Sequence, residues 1–104
     1  MTPENAYHRI YHGVTPTPEL EDLIAKDPQF SFLYSSEIIK GPWKKGEEII
    51  SQHPWYSYLY VKNVTFQPLP SCHPFIFNSE WKNYYITFLK EIGYDLNEIN
   101  EWLI

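Results

Sequence analysis

Two X-Pro steps, Asp27-Pro28 and His53-Pro54, lie 26 residues apart, and each opens an aromatic-rich run. Proline has a fixed φ and no N–H to donate, so it suits the first turn of a helix, and it pushes the residue before it out of helical geometry. Each step therefore ends one helix and starts the next. At the same offset Leu23 matches Ile49, Ile24 matches Ile50, Phe30 matches Tyr56 and Ser31 matches Ser57. Phe32 matches Tyr58, Leu33 matches Leu59, Tyr34 matches Tyr60, Ile38 matches Val64 and Pro16 matches Pro42. Such a run of similar pairs defines an internal repeat of helix pairs, at about 16–40 and 42–65. Helix pairs in series cannot bury their apolar faces alone, so they stack. The expected fold is all-α: one domain over 1–104, a short stack of helix pairs with a C-terminal helix pair as cap.

The flanking signals agree. Tyr7, Ile10 and Tyr11 predict a short first helix ending near Gly13. Thr17 is an N-cap with Pro18 at the first helical position, and Glu19, Glu21 and Asp22 fall where the helix dipole favours acids. Asp27 caps the next helix, which Gly41 and Pro42 end. Pro42 to Ile50 reads as a short helix weakened by Gly46. Residues 66–74, with Pro68, Pro70 and Pro74, read as a rigid extended loop. Asn78 or Ser79 then caps a helix over 79–92, whose Trp81, Tyr84, Tyr85, Phe88, Leu89 and Ile92 form one core-facing stripe. A last helix over 95–103 starts at Asp95 with Glu98 as a capping box and buries Leu96, Ile99, Trp102 and Leu103.

Tyr34-Ser35-Ser36-Glu37-Ile38-Ile39-Lys40-Gly41-Pro42-Trp43, followed by Glu47-Glu48-Ile49-Ile50-Ser51-Gln52-His53-Pro54, resembles a tandem helical repeat of tailed-phage and bacterial open reading frames. That repeat runs Tyr-Ala-x-x-Val-Ile-x-Gly-Arg-Trp, then an acidic residue, then Asp-Pro before the next helix. The likeness covers residues 20 to 65. Here Ser35 stands for Ala, Pro42 for Arg and His53 for Asp. The resemblance implies a stacked helical architecture and a phage or mobile-element setting. It implies no catalytic residue.

Chemistry-bearing motifs are few. His8 and His12 share a helix face, as metal ligands can, but no third ligand completes a motif, so no metal is expected. Cys72 beside His73 does not make a nucleophile, because a base approaches from elsewhere in the fold; the pair reads as packed loop residues. A lone cysteine forms no internal disulfide and suits a reducing compartment. With four glycines and no phosphate loop, neither cofactor nor enzyme activity is expected. A net charge of −5 argues against direct nucleic-acid binding, and no apolar run is long enough to span a membrane. The expected setting is the cytoplasm of a host cell.

Nine Tyr, six Phe and four Trp exceed what a small core needs, and aromatic rings anchor interfaces. The expectation is a small acidic interaction protein that binds and inhibits a host protein, in the manner of anti-CRISPR or other counter-defence proteins. Its partner-binding residues are expected at the middle break: Trp43, Lys44, Lys45, Glu47, Glu48, Trp55, Tyr56 and Tyr58. The surplus rings also allow a homodimer. A nucleic-acid mimic and an aromatic-lined sequestering protein for a nucleotide-like ligand are the alternatives.

Overall fold

Pro18, Pro28 and Pro54 each open a helix, as their backbone restriction requires. The computed structural model describes residues 1–103. It runs through α1 (Pro3–Tyr11), α2 (Pro18–Ile24), α3 (Pro28–Leu33), α4 (Lys44–Ser51), α5 (Pro54–Tyr60), α6 (His73–Ile76), α7 (Lys82–Glu91) and α8 (Leu96–Glu101). The fold is all-α, and the described residues contain no strand. The helices stack in pairs into a rod with extents of 46 × 21 × 19 Å. Thr2, Thr17, Asp27 and Asp95 each accept the backbone N–H three residues on, and Glu98 returns the bond to Asp95. These caps satisfy donors that a helix start leaves unpaired.

α3 and α5 each widen into π-helical turns, Tyr34–Ile39 and Val61–Thr65. Both end on a left-handed residue that is not glycine, Lys40 (φ 58°) and Phe66 (φ 53°). The stop expected at Gly41 therefore falls one residue earlier. The widened turn closes when the Lys40 N–H reaches the Ser35 carbonyl.

Two bonds clamp the helices of each pair. Ser31 Oγ donates to the Ile24 carbonyl at 2.9 Å, and Ser57 Oγ donates to the Ile50 carbonyl at 2.8 Å. At the other end of the pair, the Tyr34 hydroxyl donates to Glu21 at 2.7 Å and the Tyr60 hydroxyl to Glu47 at 2.7 Å. Tyr60 also accepts the Trp43 N–H at 2.9 Å. Trp43 joins the copies, because its ring packs edge-on against Tyr34 of the first while its backbone is held by Tyr60 of the second. Gly46 makes room for that ring: a Cβ there would lie 2.6 Å from Trp43 Cε3. The glycine that reads as a helix weakness is a packing requirement.

The tyrosine clamp and its junction, without the serine bond, occur a third time. At the 26-residue offset, Leu69 follows Trp43, Cys72 follows Gly46, His73 follows Glu47 and Ile76 follows Ile50. Tyr85 accepts the Leu69 N–H at 3.2 Å and pairs with His73 Nε2 at 2.8 Å. The large–small pair Trp43 and Gly46 becomes the medium pair Leu69 and Cys72. The segment expected as an extended loop over 66–74 is thus partly helical, with a 3₁₀ turn at Pro70–Cys72 leading into α6. Pro70 and Pro74 fall at helix starts, where no N–H is needed, and only Pro68 lies in irregular chain.

Two further expectations are corrected. The helix expected from 79 begins at Lys82, because the Ser79 hydroxyl donates to the Ile76 carbonyl and accepts the Trp81 N–H, holding a turn. The stripe from Trp81 to Ile92 is not wholly interior, and Leu96 and Leu103 are exposed while Ile99 is buried.

Gly46→Ala is expected to cost about 1–3 kcal/mol by overpacking. In a Trp43→Leu background the same change should be neutral or stabilising, as in the third copy. Urea unfolding of the four proteins checks this, and additive costs would refute the pairing. Tyr60→Phe leaves both the buried Trp43 N–H and Glu47 without their partner, whereas Tyr34→Phe affects only Glu21. The expected losses are about 1–3 and about 0.5–1.5 kcal/mol respectively. Equal losses would show that the Trp43 bond contributes nothing.

Candidate functional site

The structure divides the eight residues expected to bind a partner. Trp43, 8% exposed, belongs to the core for the reason given above. Tyr58, 9% exposed, is also largely covered, and Tyr56 is half-buried with its ring 6.5 Å from that of Phe32. Glu47 is occupied by the Tyr60 hydroxyl. Lys45 forms an ion pair with Asp22 of the preceding copy, and Lys44 and Glu48 are exposed beside it on α4. The expected single junction patch is therefore corrected: only Lys44, Lys45, Glu48 and Trp55 present substantial surface. The α4 charges and the α5 rings are separate features.

Trp55 belongs instead to a ladder of rings across α5 and the start of α7. The Trp55 and Trp81 centroids are 4.5 Å apart, Trp81 and Tyr84 5.7 Å, Tyr84 and Tyr58 6.0 Å, and Tyr58 and Trp55 5.9 Å. The rings are tilted against one another, which avoids the face-to-face sandwich that the aromatic quadrupole disfavours. Trp55 is 39% exposed, Tyr84 is 57% exposed and Trp81 is half-buried. Lys62, one helical turn after Tyr58, places its ammonium 5.5 Å from the Tyr58 ring centroid. A cleft of about 300 Å³ continues from the ladder between Tyr58 and Phe88. Trp81 and Tyr84 are the residues that periodicity assigns to the core. The missed signal is in the repeat itself, since Trp81 stands 26 residues after Trp55 and Tyr84 26 after Tyr58.

Cys72 is fully buried, and that burial pushes its thiol up to about 11. A thiol held protonated is a poor nucleophile. Burial lowers the His73 pKa. The Tyr85 hydroxyl accepts the Leu69 N–H and lies 2.8 Å from His73 Nε2, and burial favours the neutral form of that imidazole. The His73 ring also stacks at 5.1 Å on Trp102, next to α8, and lies 4.9 Å from Phe77. This is the clamp of the third copy, with histidine in the place of glutamate.

A depression of about 760 Å³ lies along α1 beside His8, Arg9 and His12. His8 Nε2 is 3.8 Å from Glu4, and the two imidazoles stack at 6.3 Å. Among the described residues no three His, Cys, Asp or Glu side chains are grouped as a metal ion requires. No helix of the described residues is long and apolar enough to cross a membrane. Comparison with family models, with curated proteins and with solved structures returns no match.

The His73 arrangement has a pH consequence. Its folded pKa lies below the ordinary value of 6.5, so the unfolded chain takes up this proton first. Its contribution to stability is fully present above pH 6.5 and is lost as the pH falls through the folded value. His73→Gln keeps a hydrogen-bonding partner for Tyr85 and is expected to flatten this acid limb in urea unfolding measured from pH 7.5 downward. An unchanged slope would show that His73 carries no part of it.

Proposed function

We propose that this chain is a non-catalytic interaction protein that grips another protein through the Trp55, Trp81 and Tyr84 face of α5 and α7. The observation that carries this reading is the ladder of four packed rings with its outer members open to solvent. Tryptophan and tyrosine bury large areas at little entropic cost, and they dominate the few residues that hold most interfaces together. A stacked-pair scaffold holds such rings rigidly, so little order has to be gained on binding. The burial of Cys72 and His73 supports the non-catalytic part, because neither side chain is presented at a surface where a substrate could meet it.

The motif resemblance supports a phage or mobile-element setting. In that setting the partner is a host protein, and a component of antiviral defence is the class to test first. Inhibition then follows from occupying a surface that the partner needs, inside the host cell. Net charge of −5 and a carboxylate at the ladder's cleft disfavour a phosphate-bearing ligand, which sets the nucleotide-sequestering reading second.

The test is capture from a bacterial host with the wild-type protein and with Trp55→Ala/Trp81→Ala. Both side chains lie at the surface edge of the core, so helicity by circular dichroism should be kept while retention of the partner falls at least tenfold. Lys44→Ala/Glu48→Ala on α4 should retain it. Capture unaffected by the tryptophan pair would remove this face from the function.

A further inference from the structure

The cleft beside the ladder has a composition that selects its occupant. Three rings, Tyr58, Tyr84 and Phe88, line it together with the ammonium of Lys62. Its remaining lining comes from Asn83, Thr87 and Glu91 on α7. Ring faces carry negative potential and attract cations, and Lys62 over Tyr58 is an example already in place. The amide, hydroxyl and carboxylate of the α7 residues can each accept a hydrogen bond. A planar cation with several donors matches this set better than a compact ammonium or a quaternary one.

We infer that the cleft receives the guanidinium of an arginine carried by the partner protein, with the rings as walls and Glu91 as counter-ion. The inference rests on the interaction reading above and names the partner's chemistry. A volume of about 300 Å³ accommodates that head group and part of its stem. Lys62 is the resident competitor: an incoming guanidinium must displace its ammonium from Tyr58. The rest of the chain is in keeping with such a partner, since a net charge of −5 draws a basic surface toward it.

The experiment titrates the folded protein with three probes: a short capped peptide containing one arginine, the same peptide with lysine, and tetramethylammonium. Proton NMR shifts of the Tyr84 and Phe88 rings and of the Asn83 side-chain amide report occupancy. The arginine peptide should bind with a dissociation constant in the millimolar range, several-fold tighter than either other probe. Lys62→Met should tighten it about two- to five-fold, because the competing cation is gone. Glu91→Gln should weaken it roughly tenfold. Tetramethylammonium binding as well as or better than arginine, unchanged affinity in both variants, or no shift with any probe overturns the inference. Probe binding and partner capture separate the two claims. Capture that depends on Trp55 and Trp81 without arginine binding sinks the cleft alone. Arginine binding with capture indifferent to the tryptophans sinks the interaction face and leaves the cleft.

Discussion

One buried hydroxyl in each helix pair sets the geometry of this protein. Tyr34, Tyr60 and Tyr85 are at most 1% exposed, and each reaches from the second helix of its pair to a side chain in the first. A buried hydroxyl without partners would cost several kcal/mol by solvent transfer, so its bonds fix one docking of the two helices over close alternatives. In the second and third copies the hydroxyl also takes the backbone N–H at Trp43 or Leu69, where the incoming chain begins a new copy. The bond within a pair and the junction between pairs thus meet at one oxygen. Replacing Glu by His at position 73 keeps that oxygen partnered while removing a charge, which suits a site enclosed by Phe77 and Trp102.

Much of this was readable from residues. The Pro28 and Pro54 offset identifies the repeat, and it pairs Ser31 with Ser57 and Tyr34 with Tyr60, which make matching bonds in the two copies. Thr17, Asp27 and Asp95 announced their caps. The third copy was hidden for three physical reasons. His73 performs a glutamate's task with different chemistry. The tyrosine of the third clamp comes 25 residues after Tyr60 instead of 26, so it falls out of the register that the other pairs share. Trp43 and Gly46 are replaced by Leu69 and Cys72, a change that keeps the pair's combined bulk but destroys similarity at each position. Proline spacing in 66–74 suggested an extended loop because prolines at a 3₁₀ start and at an early helical turn look the same in sequence as prolines in a linker.

The site was less readable than the fold. Tryptophan at a break was a sound pointer to an unusual role, but Trp43 and Trp55 have opposite roles there. Burial depends on what the neighbouring copy leaves open. Gly46 opens a slot for Trp43, whereas nothing comparable covers Trp55. Helical periodicity likewise placed Tyr84 and Tyr85 on one stripe. They are adjacent residues, about 100° apart around the helix. Tyr85 turns inward as the clasp, and Tyr84 faces outward.

Stacking turns a repeated position into a line on the surface. Trp55 and Trp81 are the same position in successive copies, as are Tyr58 and Tyr84, and both pairs are in ring contact. The first copy carries Gln29 and Phe32 at those positions, so the line of paired tryptophan and tyrosine exists only between the second and third copies. Inner positions are held to a narrow chemistry by the clasp, whereas outer positions can change without disturbing how the copies dock. A small stack can therefore gain a binding face by placing aromatics at one outer position in two adjacent copies. The third copy is needed for this as well as for closing the core, because without Trp81 and Tyr84 the rings of Trp55 and Tyr58 would keep only each other as partners in the ladder.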